Sequence, residues 1–372
     1  MTKQIITIAT ETYSRAILIQ ASFEEAGITS FLSNVNQIQA NVGEGVNIKI
    51  GKEDEKEALR ILNDIRSHFG EEKSEQIKKL KSRRRILVPV DFSEHSVNAC
   101  MWALGVADRI KAEIQLIHVY FNPATTVPNF SEHYAFHLNM DKFVNELVEN
   151  AKYDLNQLAK RMKEYAKKEG FEVKIHKNLI SGVAGDTILE ECNNFNPALV
   201  IMGTKGKGEK MDYVMGGVTN QLIDSANVPV LTIPECAHYK GAGDLHNVMY
   251  ATAFDDSDFQ AIGRLLNLMQ PFNVMLHCVH IDAGGESEWD HVRMSGLKSF
   301  LHEEIQATNT ECQLISNKNV FAGLQEYIDQ NKIDIISVNK RKRSWLSRQL
   351  NPSLIKDIVF HAELPILIFH SR

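Results

Sequence analysis

The sequence has no long hydrophobic run, no closely spaced pair of cysteines and no excess of basic charge. No window approaches the ~18 apolar residues that a membrane span needs. The five cysteines are scattered without a C-x-x-C pair, which argues against a disulfide framework or a zinc knuckle and favours buried thiols. The net charge of -6 gives no global attraction to nucleic acid. Because the start, MTKQIITIAT, lacks the pattern of a signal peptide, we expect a cytoplasmic protein with no membrane or nucleic-acid partner.

The chain has 372 residues, 44% of them apolar, which is enough for two or three compact domains. Residues 1–70 predict a small α+β domain. Its predicted strands are 4–9, 28–33 and 46–50, and its predicted helices are 12–26 and 53–66. Residues 71–84 are almost wholly polar and rich in Lys and Arg. We interpret them as a solvated linker, in preference to a patch that binds phosphate or nucleic acid.

From Arg85 onward, short β-branched runs alternate with longer amphipathic segments, a pattern typical of βαβ units in a mainly parallel sheet. The predicted strands are 86–90, 114–119, 172–177, 198–202 and 229–233. The predicted helices are 94–110, 141–169, 184–194 and 217–226. Together they predict a doubly wound domain with a five-stranded parallel sheet over residues 85–236.

The same order of elements recurs in the second half of the chain. ILVPVDFS (86–93) aligns with VMYATAFD (248–255), and LVIMG (199–203) aligns with IISVN (335–339). The pattern predicts a second doubly wound five-stranded domain over residues 245–372, so the fold class is α/β with a small α+β domain in front. The second copy is shorter, and residues 121–182 of the first copy hold the extra material. We expect part of it to cover the site of the first copy.

Two segments that follow strands carry the candidate chemistry. Asp91 comes directly after the first strand, where a carboxylate can accept hydrogen bonds from ribose hydroxyls or an adenine amine. The segment MGTKGKGEKMDYVMGGVTNQL (202–222) is a strand end, a glycine-rich loop and a helix start, which suits a phosphate chain. Alternatively, these glycines only supply turns and a helix cap. Neither a P-loop nor a G-x-G-x-x-G fingerprint is present.

Gly203, Gly206 and Gly216 have the spacing G-x2-G-x9-G that resembles the ATP-binding members of the universal stress protein family, in which an Asp also follows the first strand. The segment SANVPVLTIP (225–234) closes the domain as in that family. The resemblance, to tandem universal stress proteins, covers about residues 85–372. It implies the adenine nucleotide alpha-hydrolase-like fold and ATP or AMP as ligand, with Mg²⁺ at the phosphates.

The resemblance also implies which residues form the site. Those at the adenosine end are Pro89, Val90 and Asp91, with the backbone of Val119 facing adenine. Those around the ribose and phosphates are Met202, Gly203, Lys205 and Gly206, with Gly216, Gly217, Val218 and Thr219 at the helix start. Gly217 departs from the family, which has Ser or Thr there, so a hydroxyl donor to phosphate is lost. The Gly217 backbone and Thr219 remain as candidate donors.

The second copy lacks the determinants of the first. Aligned with Asp91, Gly203, Gly206 and Gly216 are Ala253, Asn339, Lys342 and Pro352. We therefore expect it to fold like the first copy without holding ATP in the manner of the family. Its loop NKRKRSWLSRQ (339–349) is basic, and we favour a solvated loop with a packing Trp345 over a site for an acidic or phosphate-bearing partner.

The remaining candidates are weaker. Residues 1–70 contain TIATETYSRAILIQASFEEAGITSFLSN followed by NIKIGKEDEKEALRILNDI. These segments resemble a small ferredoxin-like family described as signal-transducing, which implies a sensing or docking module for an unknown protein partner. His133 and His137 are four residues apart, but we favour a surface pair over a metal site. His118 and His280 are expected to be hydrogen-bonded residues of buried strands.

No catalytic residue is predicted. Ser93 is expected to cap the helix that begins near Glu94, and no general base for hydrolysis is recognisable. Three functions stay open, in decreasing order of preference. The first is nucleotide-dependent signalling in a stress response, with the copies packed as an internal pseudo-dimer through their last strands, or in a homo-oligomer. The second is a protein-interaction scaffold without nucleotide, and the third is a weak ATPase, so enzymatic activity is left undecided.

Overall fold

In a computed structural model of the chain, two compact units are present, Met1–Ser82 and Arg83–Arg372. The structure describes residues 5–11, 19–20, 23, 26–33, 46–62, 84–122, 134–205, 216–239, 245–254, 256–284, 288–305, 307–340 and 363–370. Within this part of the chain, no helix is long and apolar enough to cross a membrane.

The first unit contains a three-stranded antiparallel sheet in the order β1-β3-β2. Its strands are β1 (Ile5–Glu11), β2 (Ser30–Ser33) and β3 (Val46–Gly51). A 3-10 turn at Lys52–Asp54 leads into helical residues 55–62. Alternate residues of β3 face a small core, so Ile48 and Ile50 are buried. The strands fall where the sequence predicts them, whereas most of the predicted helix 12–26 lies outside the described residues. The resemblance of this unit to a ferredoxin-like family stays a prediction.

The second unit is built on one ten-stranded sheet covered by helices. Its strands are β4 (Arg84–Pro89), β5 (Ala112–Tyr120), β6 (Ile175–Ser181), β7 (Leu199–Gly203), β8 (Val230–Ile233), β9 (Asn247–Ala251), β10 (Met275–Asp282), β11 (Thr310–Ser316), β12 (Ile335–Lys340) and β13 (Ile366–His370). Its helices are α1 (Glu94–Ile110), α2 (Tyr134–Glu169), α3 (Ala184–Phe195), α4 (Gly217–Ser225), α5 (Asp256–Met269), α6 (Glu288–Ser299) and α7 (Val320–Asn331). The mixed α/β class predicted from the sequence is confirmed.

The two halves of this sheet have the same internal strand order. The full order is β11-β10-β9-β12-β13-β8-β7-β4-β5-β6, and pairing is parallel within each half. Strands covered by helices on both faces are expected to be mainly apolar, as the fully buried β8 and β13 are, with Thr232 and His370 as their polar members. The sequence predicts two five-stranded sheets, and the family resemblance implies that they pack through their last strands. In the structure β8 and β13, the last strands of the two halves, pair antiparallel and join the two sheets into one. Pairing removes what would otherwise be two exposed apolar sheet edges.

The extra material of the first half lies between β5 and β6, as the comparison of the copies predicts. Helix α2 is much longer than α6, its counterpart, which ends in a π-helical turn at Phe300–Glu304. Helix α2 begins before residue 141 because Tyr134–Met140 contains no glycine or proline. Strand β6 begins later than predicted, because residue 171 still takes part in the end of α2. The Phe171 N–H donates a hydrogen bond to the Ala166 carbonyl at 2.8 Å.

Local capping fixes the start of α1, which leads away from the candidate site. The Ser93 hydroxyl accepts a hydrogen bond from the Ser96 N–H at 3.2 Å, so Ser93 is the N-cap that the sequence predicts. Phe92, just before it, has a left-handed backbone with φ of 63°. The chain therefore turns sharply after β4 and places residue 91 at the rim of the sheet.

Candidate functional site

The candidate site lies where the strand order of the first half reverses. Strand β4 has β5 on one side and β7 on the other. In doubly wound sheets, ligands bind in the crevice that such a reversal opens at the carboxyl ends of the strands. A cavity of about 240 Å³ lies at this point of the sheet.

The predicted site residues that the structure describes all line this cavity. They are Pro89, Val90, Asp91, Val119, Met202, Gly203, Lys205, Gly216, Gly217, Val218 and Thr219. Gly206, the remaining one, lies outside the described residues. The fold thus brings two strand ends and a helix start together, and the role of these residues in nucleotide binding stays a prediction.

Asp91 is held at the rim by the turn that follows β4. Its Oδ1 accepts hydrogen bonds from the Ser93 hydroxyl at 2.6 Å and from the Ser93 N–H at 3.1 Å. These two hydrogen bonds fix the orientation of the carboxylate at the rim of the crevice.

Val119 presents its backbone to the crevice because β5 extends past the end of β4. The Ile117 carbonyl accepts from the Val90 N–H at 2.9 Å, on the β4 side, while the Tyr120 carbonyl accepts from Gly182 on the β6 side. Peptide groups along a strand alternate in direction, so those of Val119 point the same way as those of Ile117. Beyond the last pair of β4 and β5, that direction is the crevice.

Helix α4 places its first turn at the wall of the cavity. Gly216 is its N-cap, makes no side-chain cap and donates its N–H to the Thr204 carbonyl at 3.0 Å. The first turn of a helix carries N–H groups without intrahelical partners and the positive end of the helix dipole, so it attracts a phosphate. Gly217 is exposed, and a Cβ built on it would meet no atom of the described residues within 4 Å.

Two predicted residues also have roles in the fold. A Cβ on Gly203 would lie 2.8 Å from the Cβ of His95 and 2.9 Å from its carbonyl carbon, so glycine is needed here for α1 to pack on β7, with or without a ligand. Thr219 is buried and donates its hydroxyl to the Gly203 carbonyl at 3.0 Å. The Thr219 proton is therefore used within the protein and does not replace the hydroxyl missing at Gly217.

The cavity also has walls that the sequence analysis did not assign. They are Ser96, Ile117, His118, Ala184 and Ile188. Ala184 and Ile188 lie in the first turns of α3, which follows the end of β6. Their spacing of one helical turn, just after a predicted strand, is the only signal in the sequence that points to them. His118 is hydrogen-bonded as expected, with Nδ1 2.7 Å from the Val90 carbonyl oxygen, but it is only partly buried.

The second half keeps the histidine contact and the aromatic neighbour found at this site, but it has a different residue at the position of Asp91. His280 contacts the Thr252 carbonyl at 2.8 Å and stacks near Phe254, as His118 does with Val90 and Phe92 in the first half. The position of Asp91 is Ala253, whose N–H instead donates to a buried carboxylate on α5.

That carboxylate is Asp258, whose hydrogen bonds hold neighbouring residues of the fold in place. It accepts from the hydroxyls of Tyr250 and Thr252, both at 2.8 Å, and from the Ala253 N–H at 3.0 Å. Asn339, which stands where the first half has Gly203, is buried and donates to the Ser257 hydroxyl at 2.9 Å. The counterparts Lys342 and Pro352, with the loop around Trp345, lie outside the described residues.

No group of three or more His, Cys, Asp or Glu side chains that could hold a metal occurs among the described residues. The side chains of His133 and His137 are not among those described.

Comparison with known proteins assigns a family to the segment that forms this crevice. The sequence model of the universal stress protein family matches residues 82–234, the segment that contains every described residue of the cavity. Residues 82–234 are a universal stress protein domain.

Related proteins support the assignment. A universal stress protein of Methanocaldococcus jannaschii is 28% identical over 151 residues, covering 40% of this chain and 81% of that protein. A second universal stress protein of the same organism is 27% identical over 154 residues, covering 40% of this chain and 94% of that protein. In fold, the chain is similar to the crystal structure of a universal stress protein from Archaeoglobus fulgidus, with a TM-score of 0.54 and 15% identity over 78% of this chain and 99% of that one. The likeness in fold thus extends beyond the universal stress protein domain.

Proposed function

We propose that the universal stress protein domain binds ATP or AMP in the crevice between β4 and β7, and that occupancy of this site is a signal in a stress response. The proposal rests on the way in which the predicted site residues come together. Residues expected at the adenosine end and at the phosphate end come from distant segments of the sequence, and they meet around one cavity at the reversal of strand order.

The chemistry of the cavity suits the parts of an adenine nucleotide. Asp91 accepts from ribose hydroxyls, the Val119 backbone faces the base edge, and the first turn of α4 faces the phosphates. At about 240 Å³ the cavity is smaller than the roughly 300–1,000 Å³ of ordinary ligand pockets. We therefore place the adenosine inside and the phosphates at its mouth. Mg²⁺ would enter with the triphosphate, since Mg²⁺ commonly binds through substrate phosphates and few protein groups.

The proposal extends to the domain organisation of the whole chain. We propose a cytoplasmic protein made of a sensing or docking domain (1–70), a linker (71–84), the nucleotide-binding domain (85–236) and a degenerate copy (245–372). The copies act as an internal pseudo-dimer, and the antiparallel pair of β8 and β13 supports this arrangement. Binding then biases a conformation or an interface rather than leading to turnover.

A protein-interaction scaffold that has given up nucleotide is the second candidate. Two observations favour it. Gly217 lacks the hydroxyl, and the glycine at 203 is explained by the packing of α1 alone. A weak ATPase ranks below both, because no general base for hydrolysis is recognisable in the sequence.

The test is calorimetric titration of the full chain with ATP, AMP and adenosine, with GTP as the control for the base. The matched variant is Asp91→Ala, because the second half carries alanine at this position and still turns in the same way after its first strand. Loss of hydrogen bonds to ribose should weaken ATP binding about tenfold or more. Asp329→Ala, on α7 and far along the chain, should leave binding unchanged.

Absence of heat at millimolar ATP and AMP, from protein whose unfolding transition is intact, would exclude nucleotide binding and leave the scaffold. Phosphate release in the same samples distinguishes a weak ATPase from simple binding. Mass spectrometry of what co-purifies with the protein then identifies the nucleotide.

A further inference from the structure

Two cysteines that are far apart in the sequence are direct neighbours in the sheet. Cys278 lies on β10 and Cys312 on β11, and they are register partners in this parallel pair. Side chains at paired positions point to the same face of a sheet. Cys278 is fully buried in the large apolar core, and Cys312 is partly buried and packs against that core. Both thiols therefore lie side by side on the face that α6 covers.

The spacing of paired strands matches the spacing that a disulfide needs. Neighbouring strands lie about 4.7–4.9 Å apart, and the Cα atoms of disulfide-bonded cysteines are usually about 4.4–6.8 Å apart. A bond between Cys278 and Cys312 would thus form without a change of register. Strand β11 is at the edge of the ten-stranded sheet, so only one neighbouring strand restrains the adjustment of Cys312.

The two thiols also differ in chemistry. A hydrogen bond from the Cys278 thiol lowers the pKa of Cys312, and the charge of Lys298 acts in the same direction, against partial burial and Glu311. The same hydrogen bond, followed by burial, raises the pKa of Cys278 well above its usual value. The thiolate is the reactive form of cysteine, so Cys312 is the nucleophile of the pair and Cys278 the second thiol.

We propose that Cys278 and Cys312 form a redox-active dithiol that a peroxide converts into a disulfide. The Cys312 thiolate attacks one peroxide oxygen, the O–O bond breaks, and the hydroxide that leaves takes up a proton to become water. The sulfur of Cys278 then attacks the Cys312 sulfenic acid, the S–S bond forms and the S–O bond breaks. The departing oxygen leaves as a second water, with the proton of Cys278. In total, two thiols are oxidised and one peroxide is reduced to two waters.

The other cysteines of the chain are internal controls. Cys100 and Cys192 are buried in helices α1 and α3, and burial raises the pKa of Cys192 to about 12. Cys236 is exposed and follows β8, and the Glu363 carbonyl accepts a hydrogen bond from its thiol. Cys236 reports the reactivity of a single accessible thiol, whereas the dithiol requires two. The proposal does not depend on nucleotide binding, since both cysteines lie in the half without the candidate site.

The experiment treats the full chain with hydrogen peroxide, blocks remaining thiols with N-ethylmaleimide and maps the digest by mass spectrometry. We expect loss of two of the five thiols and a peptide in which Cys278 and Cys312 are joined. Cys236→Ser should behave like the parent chain. Cys312→Ser, which keeps the size of a partly buried side chain, should abolish the linked peptide.

A second measurement needs no oxidation. Phenylarsine oxide binds a pair of neighbouring thiols, so the reduced parent chain and Cys236→Ser should each take up one equivalent, and Cys312→Ser none. Equal uptake by Cys312→Ser, or a peroxide-treated parent chain that retains all five thiols or joins other cysteines, would overturn the proposal. The parent chain alone decides the peroxide outcome, even if a variant folds poorly.

Discussion

Replacing Gly217 by serine should restore the hydroxyl that the site lacks. We expect the position to tolerate the change, because a Cβ at Gly217 meets no atom of the described part of the chain within 4 Å and the residue is exposed at the first turn of α4. A serine hydroxyl there would lie beside the N–H groups that face the proposed phosphates. It would add one donor to a charged acceptor without displacing any packed group.

The size of the gain follows from the exposure of the position. A hydrogen bond to a charged group contributes about 1.5–3 kcal/mol, and the lower end applies to an exposed residue. Since about 1.4 kcal/mol is a factor of ten in affinity, Gly217→Ser should tighten binding of ATP about tenfold in calorimetric titration. Serine also reduces the backbone freedom of glycine, which stabilises the helix by about 0.5–1 kcal/mol in the absence of ligand.

Gly217→Ala separates these two effects, because it has the Cβ of serine without the hydroxyl. It should stabilise the helix similarly and leave the affinity for ATP near that of the parent chain. Adenosine has no phosphate, so its affinity should be the same for all three proteins. If the serine and alanine variants bind ATP equally, or if serine also tightens adenosine, then the first turn of α4 does not face the phosphates and the proposed orientation is wrong.

The remaining predictions concern stability. Gly203→Ala should lower the free energy of unfolding by about 1–3 kcal/mol in urea titration, because its Cβ overlaps the His95 backbone. Asp258→Ala should cost about 2–4 kcal/mol by the same assay, because buried hydroxyl donors lose their acceptor, while the affinity for ATP stays unchanged. Burial lowers the pKa of His277 and His370 below their ordinary value of about 6.5, so unfolding takes up protons and the melting temperature should fall as the pH drops below about 6.5.

Each of these has a contradicting result. A Gly203→Ala chain with parental stability would show that α1 can move away from β7 at little cost. A loss of ATP affinity in Asp258→Ala would mean that the second half contributes directly to binding. For the pH effect, replacing His277 and His370 by glutamine should flatten the profile, and an unchanged slope would assign it to other groups.

Much of the frame of the domain could be predicted from local patterns. The apolar runs at 86–90 and 198–202 lie within or beside the buried strands β4 and β7, because strands covered on both faces read as continuous hydrophobic segments. Ser93 was recognisable as a cap from its place before a helical pattern. The assigned positions that line the cavity follow strand ends and spaced glycines, which the topology of a doubly wound sheet brings to one edge, and the family resemblance named them individually. Ser96, Ala184 and Ile188, which also line the cavity, were not assigned.

What could not be predicted depends on contacts between distant segments. No local pattern shows that β8 and β13 pair, since an apolar last strand looks the same at a free edge and at a junction. The expectation that the copies pack through their last strands came only from the family resemblance. The need for glycine at 203 comes from the approach of His95, and the partnership of Cys278 with Cys312 comes from strand register. Scattered cysteines in a sequence can therefore be neighbours in a parallel sheet.

The junction of the two halves explains why a degenerate copy keeps its fold. Helix α4 has its first turn at the candidate phosphate site, while its other end belongs to the second half. Ile223 packs in the apolar core formed mainly by β9–β13 and α7, and its carbonyl lies 2.9 Å from Nε2 of His370 on β13. Asp224 pairs with Lys340 at the end of β12.

These contacts tie the helix of the first site to strands of the second. The buried imidazole of His370 lies against the carbonyl end of α4, where a donor satisfies groups that the helix leaves without partners. Loss of Asp91 and Gly203 from the second copy would remove a ligand site while leaving these contacts intact. The first turn of α4 is also held within the first half, where the Thr219 hydroxyl donates to the Gly203 carbonyl and Leu222 packs in the first-half core. The second copy therefore contributes contacts at the C-terminal end of α4, even though Ala253 and Asn339 replace Asp91 and Gly203 in its own sequence.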